Sequence, residues 1–428
     1  MKNGQIRSID DMQYASEACS KVLTLFSGGL DSSYVLHRLQ ALDCQVIALL
    51  VDVGDGADRS GLLKITHTLG ARLQIVDCCE EFANSAVLQA IRSQAKYLGQ
   101  YPISSSLSRP IIAKAAVEIA RQNQCGAIIH TANQSQNSLR RLNGAIKDLG
   151  YEGYFGSPYE FDAISRAAKQ EKLVSLGLHE FEHRHVSGDA NLWCREFESG
   201  VLDNPEYFSV PDSAYLWTDT RSRLFRQTDV SQICISFESG EPVSIDGIEM
   251  NPVSLIAELN NRGGQYGIGR YEGLEYLEGG SKVLEVREAP AAALLMEAYR
   301  HLEMSILPAE LLREKHAMEQ LWVREAIDGR WFGDVKRSVD AFIDEASCKV
   351  TGEVRFALMP GQARLLGVVA RNASYLIDRD QWEENTAQQS AARSLRELAK
   401  MQIPLSSVNE AVVRSNVASC KFDVEQVA

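Results

Sequence analysis

The nine cysteines of this chain are odd in number and form no Cys-x-x-Cys pair. That argues against a disulfide framework and the common zinc sites, and free thiols in a reducing compartment are expected. Basic residues are outnumbered, with 44 Lys plus Arg against 57 Asp plus Glu and a formal charge of −13. Generic nucleic-acid binding depends on counterion release by basic surfaces, so this balance disfavours it. No run of about 18 apolar residues suggests a membrane span. The stretch from Met1 to Lys21 is polar and lacks the apolar core of a signal peptide, so a cytoplasmic protein is expected. Internal repeats and low-complexity tracts are absent as well.

What is present centres on Ser27-Gly28-Gly29-Leu30-Asp31-Ser32-Ser33. The run Lys21–Phe26 before it reads as a short buried strand, and Ser33–Leu39 after it has helical spacing. A strand running through Ser-Gly-Gly into a helix start suits an anion. Glycines admit close backbone approach, and the helix N-terminus offers unpaired N–H groups and a positive dipole end. The hydroxyls add donors, and Asp31 can orient the loop or a magnesium ion. No lysine follows the glycines, so this is not the P-loop pattern.

With 428 residues and 45% hydrophobic content, two or three domains are expected. Gln45–Gly54 is a near-continuous apolar run ending in Asp-x-Gly, Arg72–Asp77 is a third strand, Ala127–Thr131 a fourth, and Tyr154-Phe155 part of a fifth. Helices are expected over about 58–69, Glu81–Tyr97 and Pro110–Gln122. Such alternation predicts an α/β fold with a parallel sheet, whose ligands sit beyond the strand C-termini. Ser27–Ser33, Asp52–Gly54 and Thr131–Asn137 then share one edge. From about Ser187 the pattern changes to α+β. It has hairpins around Ser239-Gly240 and Pro360-Gly361, helices over Pro252–Asn261, Pro290–Glu303 and Ala309–Ala326, and a glycine-rich loop over Gly263–Arg270. The expected domains are 1–185 for nucleotide, 186–375 for substrate and oligomerisation, and 376–428 as a C-terminal helical arm. His179-Glu180-Phe181-Glu182-His183 matches the zinc-protease string His-Glu-x-x-His. It follows Gly177 and continues in alternation, so solvated loop histidines and no metal site are expected.

The motifs in order resemble the argininosuccinate synthase family over nearly the whole chain. Ser27–Ser33 matches its opening string. Tyr101, Ser106, Leu107, Arg109 and Pro110 match Tyr-x-x-x-x-Ser-Leu-x-Arg-Pro. Asp189, Asn191, Leu192, Trp193, Glu198 and Gly200 match Asp-x-Asn-Leu-Trp with Glu-x-Gly. Gly263–Arg270 with Glu275, and Val350-Thr351-Gly352, follow. The resemblance implies an adenine nucleotide alpha-hydrolase-like domain and an ATP- and Mg²⁺-dependent condensation. In that reaction a citrulline ureido oxygen attacks the α-phosphate, pyrophosphate leaves, and the aspartate amine displaces AMP. It also implies a homotetramer acting on small amino acids. Phe26, Ser27, Gly28, Gly29, Asp31, Ser32 and Ser33 would hold the nucleotide, with Val51, Asp52 and Thr131 beside the adenosine. Asp31, Ser33 and Arg109 would be catalytic.

The departures lie on the amino-acid side. Where the family has Gly-Ala-Thr-Gly-Lys-Gly-Asn-Asp-Gln-Val-Arg-Phe-Glu, this chain runs from Thr131 to Asn143. Asn137 and Arg141 survive. The threonine is Asn133, the lysine Ser135, the aspartate Ser138 and the glutamate Asn143, while three glycines are Thr131, Gln134 and Gln136. In the citrulline pocket Tyr101, Ser106, Ser187 and Glu275 remain, a serine becomes Glu196, and a tyrosine becomes Arg287. Those two pair with each other, or they hold opposite charges of a different substrate. A ligase with altered pockets is expected ahead of ordinary argininosuccinate synthesis. A tRNA-thiolating enzyme and a silent nucleotide-binding paralogue are the remaining alternatives.

Overall fold

The computed structural model describes residues 4–54, 56, 58–182, 187–198, 200–218, 220–221, 231–277 and 279–400. From the N-terminus, β1 (Gln5–Ile6), α1 (Ile9–Ala18), β2 (Lys21–Leu25), α2 (Leu30–Gln40), β3 (Gln45–Asp52), α3 (Arg59–Thr68) and β4 (Arg72–Asp77) alternate. Then α4 (Cys79–Phe82) and α5 (Leu88–Arg92) flank a π-helical turn over Ala83–Val87, and β5 (Lys96–Tyr97) pairs with β6 (Tyr101–Pro102). Next come α6 (Ser105–Gln122), β7 (Ala127–Ile129), α7 (Ser138–Asp148), β8 (Tyr154–Gly156) and α8 (Arg166–Ser175).

The six long-range strands form one sheet in the order β1-β8-β7-β2-β3-β4, with every pair parallel. β3 is buried along nearly its whole length, which is why its sequence is continuously apolar rather than alternating. The chain runs outward from β2 through β3 to β4 on one side, and from β7 to β8 on the other. The crevice beyond the C-termini of β2 and β7 is therefore the switch point where an α/β sheet places its ligand.

The second half contributes β9 (Ser187–Ala190), β10 (Arg195–Glu198), β11 (Ser231–Glu238), β12 (Glu241–Ile245), β13 (Ile248–Glu249), α9 (Pro252–Gln265), β14 (Arg270–Tyr276) and β15 (Lys282–Glu288). It continues through α10 (Pro290–Ile306), α11 (Ala309–Ile327), α12 (Asp334–Ser347), β16 (Gly352–Met359) and β17 (Gln362–Ala370). These build a sheet β14-β15-β10-β9 and a sheet β13-β12-β11-β16-β17. A single hydrophobic core runs from Leu23 and Ile128 to Phe356, so residues on both sides of position 185 pack as one body. The chain divides into compact units at Ala373 and Ser374. The second unit contains α13 (Arg379–Lys400). Among the described residues no helix is long and apolar enough to cross a membrane.

The expected α/β sheet and the α+β second half are both present, and several element limits differ. The helix expected from Pro110 begins at Ser105, with Pro110 inside it. The helix expected to reach Tyr97 ends at Arg92, because Lys96 and Tyr97 pair with Tyr101 and Pro102. Gly263 and Gly264, expected in a loop, are the last buried turn of α9. A Cβ on Gly264 would lie 1.9 Å from the Trp217 carbonyl oxygen, so these glycines serve close packing. His179–Phe181 forms a single 3-10 turn, with His179 exposed against Glu182, and His183 lies outside the described residues.

Candidate active site

A cleft of about 730 Å³ opens at the switch point, a volume typical of small-molecule sites. Phe26, Ser27, Gly29, Asp31 and Ser32 line one end, beside Val51 and Thr131. Gly28 holds φ +70°, and a Cβ there would fall 2.2 Å from Leu62 Cδ2, so the turn requires glycine. Gly29 is the N-cap of α2 and supplies no side-chain cap, which leaves first-turn N–H groups pointing at the loop. Ser32 Oγ donates to the Gly29 carbonyl at 3.2 Å. The Ser33 hydroxyl is fully buried behind the wall and has no hydrogen-bond partner among the described residues. The uncapped helix start beside Ser27 and Ser32, which line the cleft, suits a phosphate oxygen.

Lys169 of α8 reaches this loop from 138 residues away and donates to Asp31 Oδ1 at 2.6 Å. Its ammonium lies 4.1 Å over the Tyr159 ring, while Tyr159 donates to the Asp31 carbonyl at 3.1 Å. Asp52 accepts from the Gly54 amide at 2.9 Å and from Arg59 at 3.1 Å, which places its carboxylate at the strand end rather than on the cleft wall. His130, at the end of β7, is buried, and burial lowers its pKa to about 4. Its Nδ1 accepts from the Ala132 amide at 3.4 Å, so Nε2 carries the proton toward Asn143 Oδ1 at 2.9 Å.

At the other end α6, α7 and the sheet β14-β15-β10-β9 converge. Asn137 donates to Glu275 at 2.9 Å and to the Tyr276 carbonyl at 2.8 Å. Arg141 donates to the same carboxylate at 2.9 Å, to Ser105 Oγ at 2.9 Å and to the Ile327 carbonyl at 3.0 Å. Arg109 contacts Ser138 at 3.1 Å and Asp189 at 2.8 Å. Glu196 and Arg287 face each other across the β10–β15 ladder and bond at 3.1 Å. Arg287 also donates to Glu275 at 2.9 Å and to Glu285. Burial pushes the Glu275 carboxyl up, but Arg141 and Arg287 outweigh it and hold the pKa at about 2. Glu285 and Glu198 go the other way, because burial exceeds what their partners restore.

Comparison with known proteins places this geometry. The Arginosuccinate synthase N-terminal HUP domain model matches residues 21–166, and the Arginosuccinate synthase C-terminal domain model matches 186–405. Argininosuccinate synthase of Dictyoglomus turgidum is 34% identical over 351 residues, covering 81% of this chain and 87% of that one. That of Pyrococcus furiosus is 32% identical over 385 residues, covering 89% and 93%. The chain belongs to the argininosuccinate synthase family. It is an ATP-dependent ligase. Among solved structures, the NH3-dependent NAD synthetase from Campylobacter jejuni matches at TM-score 0.27 and 19% identity, covering 40% of this chain and 71% of that one. That likeness is too slight to bear on function.

In this family member the cleft wall takes in Phe26, Ser27, Gly29, Asp31, Ser32, Val51, Arg109, Thr131, Asn137, Ser138, Arg141, Glu196 and Glu275. Gly28, Ser33, Asp52, Tyr101, Ser106, Asn133 and Arg287 stand behind that wall or shape it. Tyr101 is buried and stacked on Tyr97 at 5.3 Å, and Asn133 folds back on Ser135. Ser187 belongs to β9, and its side chain lies outside the described residues. Sequence reasoning missed Lys169, His130, Glu285 and Ser105. Lys169 and Glu285 carry no local motif. His130 and Ser105 each stand beside a motif residue that drew the attention instead. Among the described residues no group of three or more His, Cys, Asp or Glu could hold a metal, and the eight described cysteines are free thiols.

Proposed function

We propose that this ligase adenylates a ureido or related acceptor with release of pyrophosphate, then joins an aspartate-like amine with release of AMP. The acceptor and amine pockets differ from those of its relatives. The observation that carries the reading is the uncapped α2 N-terminus, with Ser27, Gly29 and Ser32 on the cleft wall, set at the sheet's switch point. Ser27, Ser32 and the loop amides bind the β- and γ-phosphates, with Ser33 buried behind them, and Lys169 places a cation beside them. Helix dipole and lysine stabilise the charge that builds on departing pyrophosphate, so positioning and electrostatics supply the catalysis without a covalent nucleophile. Mg²⁺ fits through the Asp31 carboxylate, 40% exposed beside the loop, and would neutralise phosphate charge when bound. Arg109, bonded to Ser138 and Asp189, and Asn137, bonded to Glu275, fix the wall against which acceptor and amine meet. His130, neutral at working pH, fixes the Ala132 amide and the start of the Thr131–Asn137 loop that leads into α7.

Altered pockets are supported by the Glu196–Arg287 pair, whose two charges fill buried positions between β10 and β15. The test is a pyrophosphate-release screen on purified protein with ATP and Mg²⁺, crossing ureido acceptors with amino-acid amines. The expected result is stoichiometric pyrophosphate and AMP only when both partners are present, with weak turnover of citrulline plus aspartate. Robust argininosuccinate formation would restore the ordinary reaction. Pyrophosphate release from no pair would remove the ligase chemistry.

A further inference from the structure

The inner end of the cleft has its cations already bonded to the protein. Arg109 donates to Ser138 at 3.1 Å, Ser108 at 3.2 Å and Asp189 at 2.8 Å, which engages all three of its nitrogens. Arg141 is likewise engaged through all three, by Ile327, Ser105 and Glu275. Arg287, 2% exposed, is held by Glu196, Glu275 and Glu285, and its guanidinium lies 4.1 Å over the Tyr101 ring. Its one unpartnered nitrogen, Nη1, is buried and not on the cleft wall.

The carboxylates show the opposite condition. Asp189, Glu196, Glu198, Glu275 and Glu285 all line the cleft. Against Arg109, Arg141 and Arg287 they leave two negative charges in excess. Glu275 has both oxygens engaged. Asp189, Glu196, Glu198 and Glu285 each have only one oxygen held by a donor among the described residues. A ligand carboxylate here would meet guanidinium groups already bonded to the protein and an excess of like charge. An ammonium or guanidinium would meet four carboxylates able to accept from it. Burial raises the Glu198 and Glu285 carboxyl pKa values, and at Glu285 it does so despite the Arg287 guanidinium beside it.

We propose that this end of the cleft takes a cationic group with no carboxylate beside it. The acceptor is then a ureido-bearing amine, amidine or guanidine rather than an α-amino acid, and the Glu196–Arg287 pair is the specificity determinant. This rests on the ligase reading, with the ureido oxygen still directed to the α-phosphate. An α-amino acid would have its ammonium served and its carboxylate stranded.

Three ureido compounds that differ in end charge test it on the full chain: N-carbamoylputrescine (cationic), citrulline (zwitterionic) and N-carbamoyl-β-alanine (anionic). Calorimetric titration in the presence of a non-hydrolysable ATP analogue reads binding without turnover. N-carbamoylputrescine binds at least tenfold tighter than the other two. Its binding also releases protons on the acid side, seen as a heat that changes with the buffer's ionisation enthalpy, because a bound cation lowers the raised Glu198 and Glu285 pKa values. Equal or tighter binding of citrulline or the anion overturns the proposal and leaves the ligase reading standing. Pyrophosphate release with none of the three, despite cation binding, overturns the ligase reading instead.

Glu196→Gln removes one excess negative charge while Arg287 keeps Glu275 and Glu285, and it narrows the preference. An unchanged preference in the folded variant overturns the assignment of Glu196. Should that variant not fold, Glu198→Gln, which deletes a charge without stranding a cation, lowers affinity for the cationic probe and spares citrulline. Equal losses for both overturn the proposal.

Discussion

Arg287→Met tests whether the buried charge network is organised as described. Arg287 is the counter-ion of Glu196, Glu275 and Glu285, and all four are buried or nearly so. Its removal leaves Arg141 as the direct ion-pair partner of Glu275, while Glu196 and Glu285 lose theirs. Breaking a buried ion pair from one side costs about 3–5 kcal/mol, because the stranded charge pays for its desolvation. The pH dependence gives a sharper signature. In the native protein the depressed Glu275 pKa of about 2 contributes stability that is present above the unfolded value, and it fades as pH falls toward 2. Glu285 is raised, so its contribution is complete below the unfolded value and is lost as pH rises through the folded one. In the variant both carboxyls move up. The folded variant then binds protons that the unfolded chain does not, and its stability falls as pH rises. Thermal unfolding at fixed protein concentration should show a loss of roughly 3–6 °C at pH 8, and a clearly smaller one at pH 5. A loss under about 1 kcal/mol at pH 8, or a larger loss at pH 5 than at pH 8, would refute the network.

Ser32→Ala removes a cleft-lining hydroxyl whose bond is to the Gly29 carbonyl at 3.2 Å, so stability should fall by no more than about 1 kcal/mol while KM for ATP rises about tenfold. A several-degree fall in Tm with unchanged KM would make the hydroxyl structural. Lys169→Met removes the 2.6 Å contact to Asp31 and should raise KM for ATP at least tenfold, leaving KM for the amine nearly unchanged; equal effects on both would count against its place at the phosphates. Burial first, with acidic neighbours, pushes Cys78 up to about 11; burial and a hydrogen bond to Asp77 push Cys79 up to about 12. Maleimide at pH 7.5, followed by peptide mass spectrometry, should therefore mark the exposed Cys348 well before either. Rapid labelling of Cys79 would contradict that environment.

The nucleotide end of the cleft was legible because its parts lie within nine residues of sequence. Strand, glycine turn and helix start are one continuous string, and the structure keeps them so from Leu25 to Ser33. The acceptor end is assembled differently. Arg141 meets Glu275 across 134 residues, and Arg287 meets Glu196 across 91. Neither partner carries a local pattern that announces the other. Gly263 and Gly264 misled for a related reason: a glycine kept for close approach to Trp217 looks, in sequence, like one kept for a turn. Glu196 and Arg287 could be singled out as departures, yet only the register of β10 against β15 decides whether they pair or face a ligand separately. A strand's side chains alternate between faces, so a slip of one residue would turn Glu196 away from the cleft and leave Arg287 with Glu275 and Glu285 alone. The register in turn is fixed by the buried Phe197–Val286 step beside the pair and by Arg195 bonding Glu288. Substrate choice at this end therefore depends on ordinary core packing one residue away. Phe197→Ala should loosen the pairing and blur discrimination among acceptor charges while leaving KM for ATP nearly unchanged. An equal loss at both ends would mean that the two halves of the cleft are not separable.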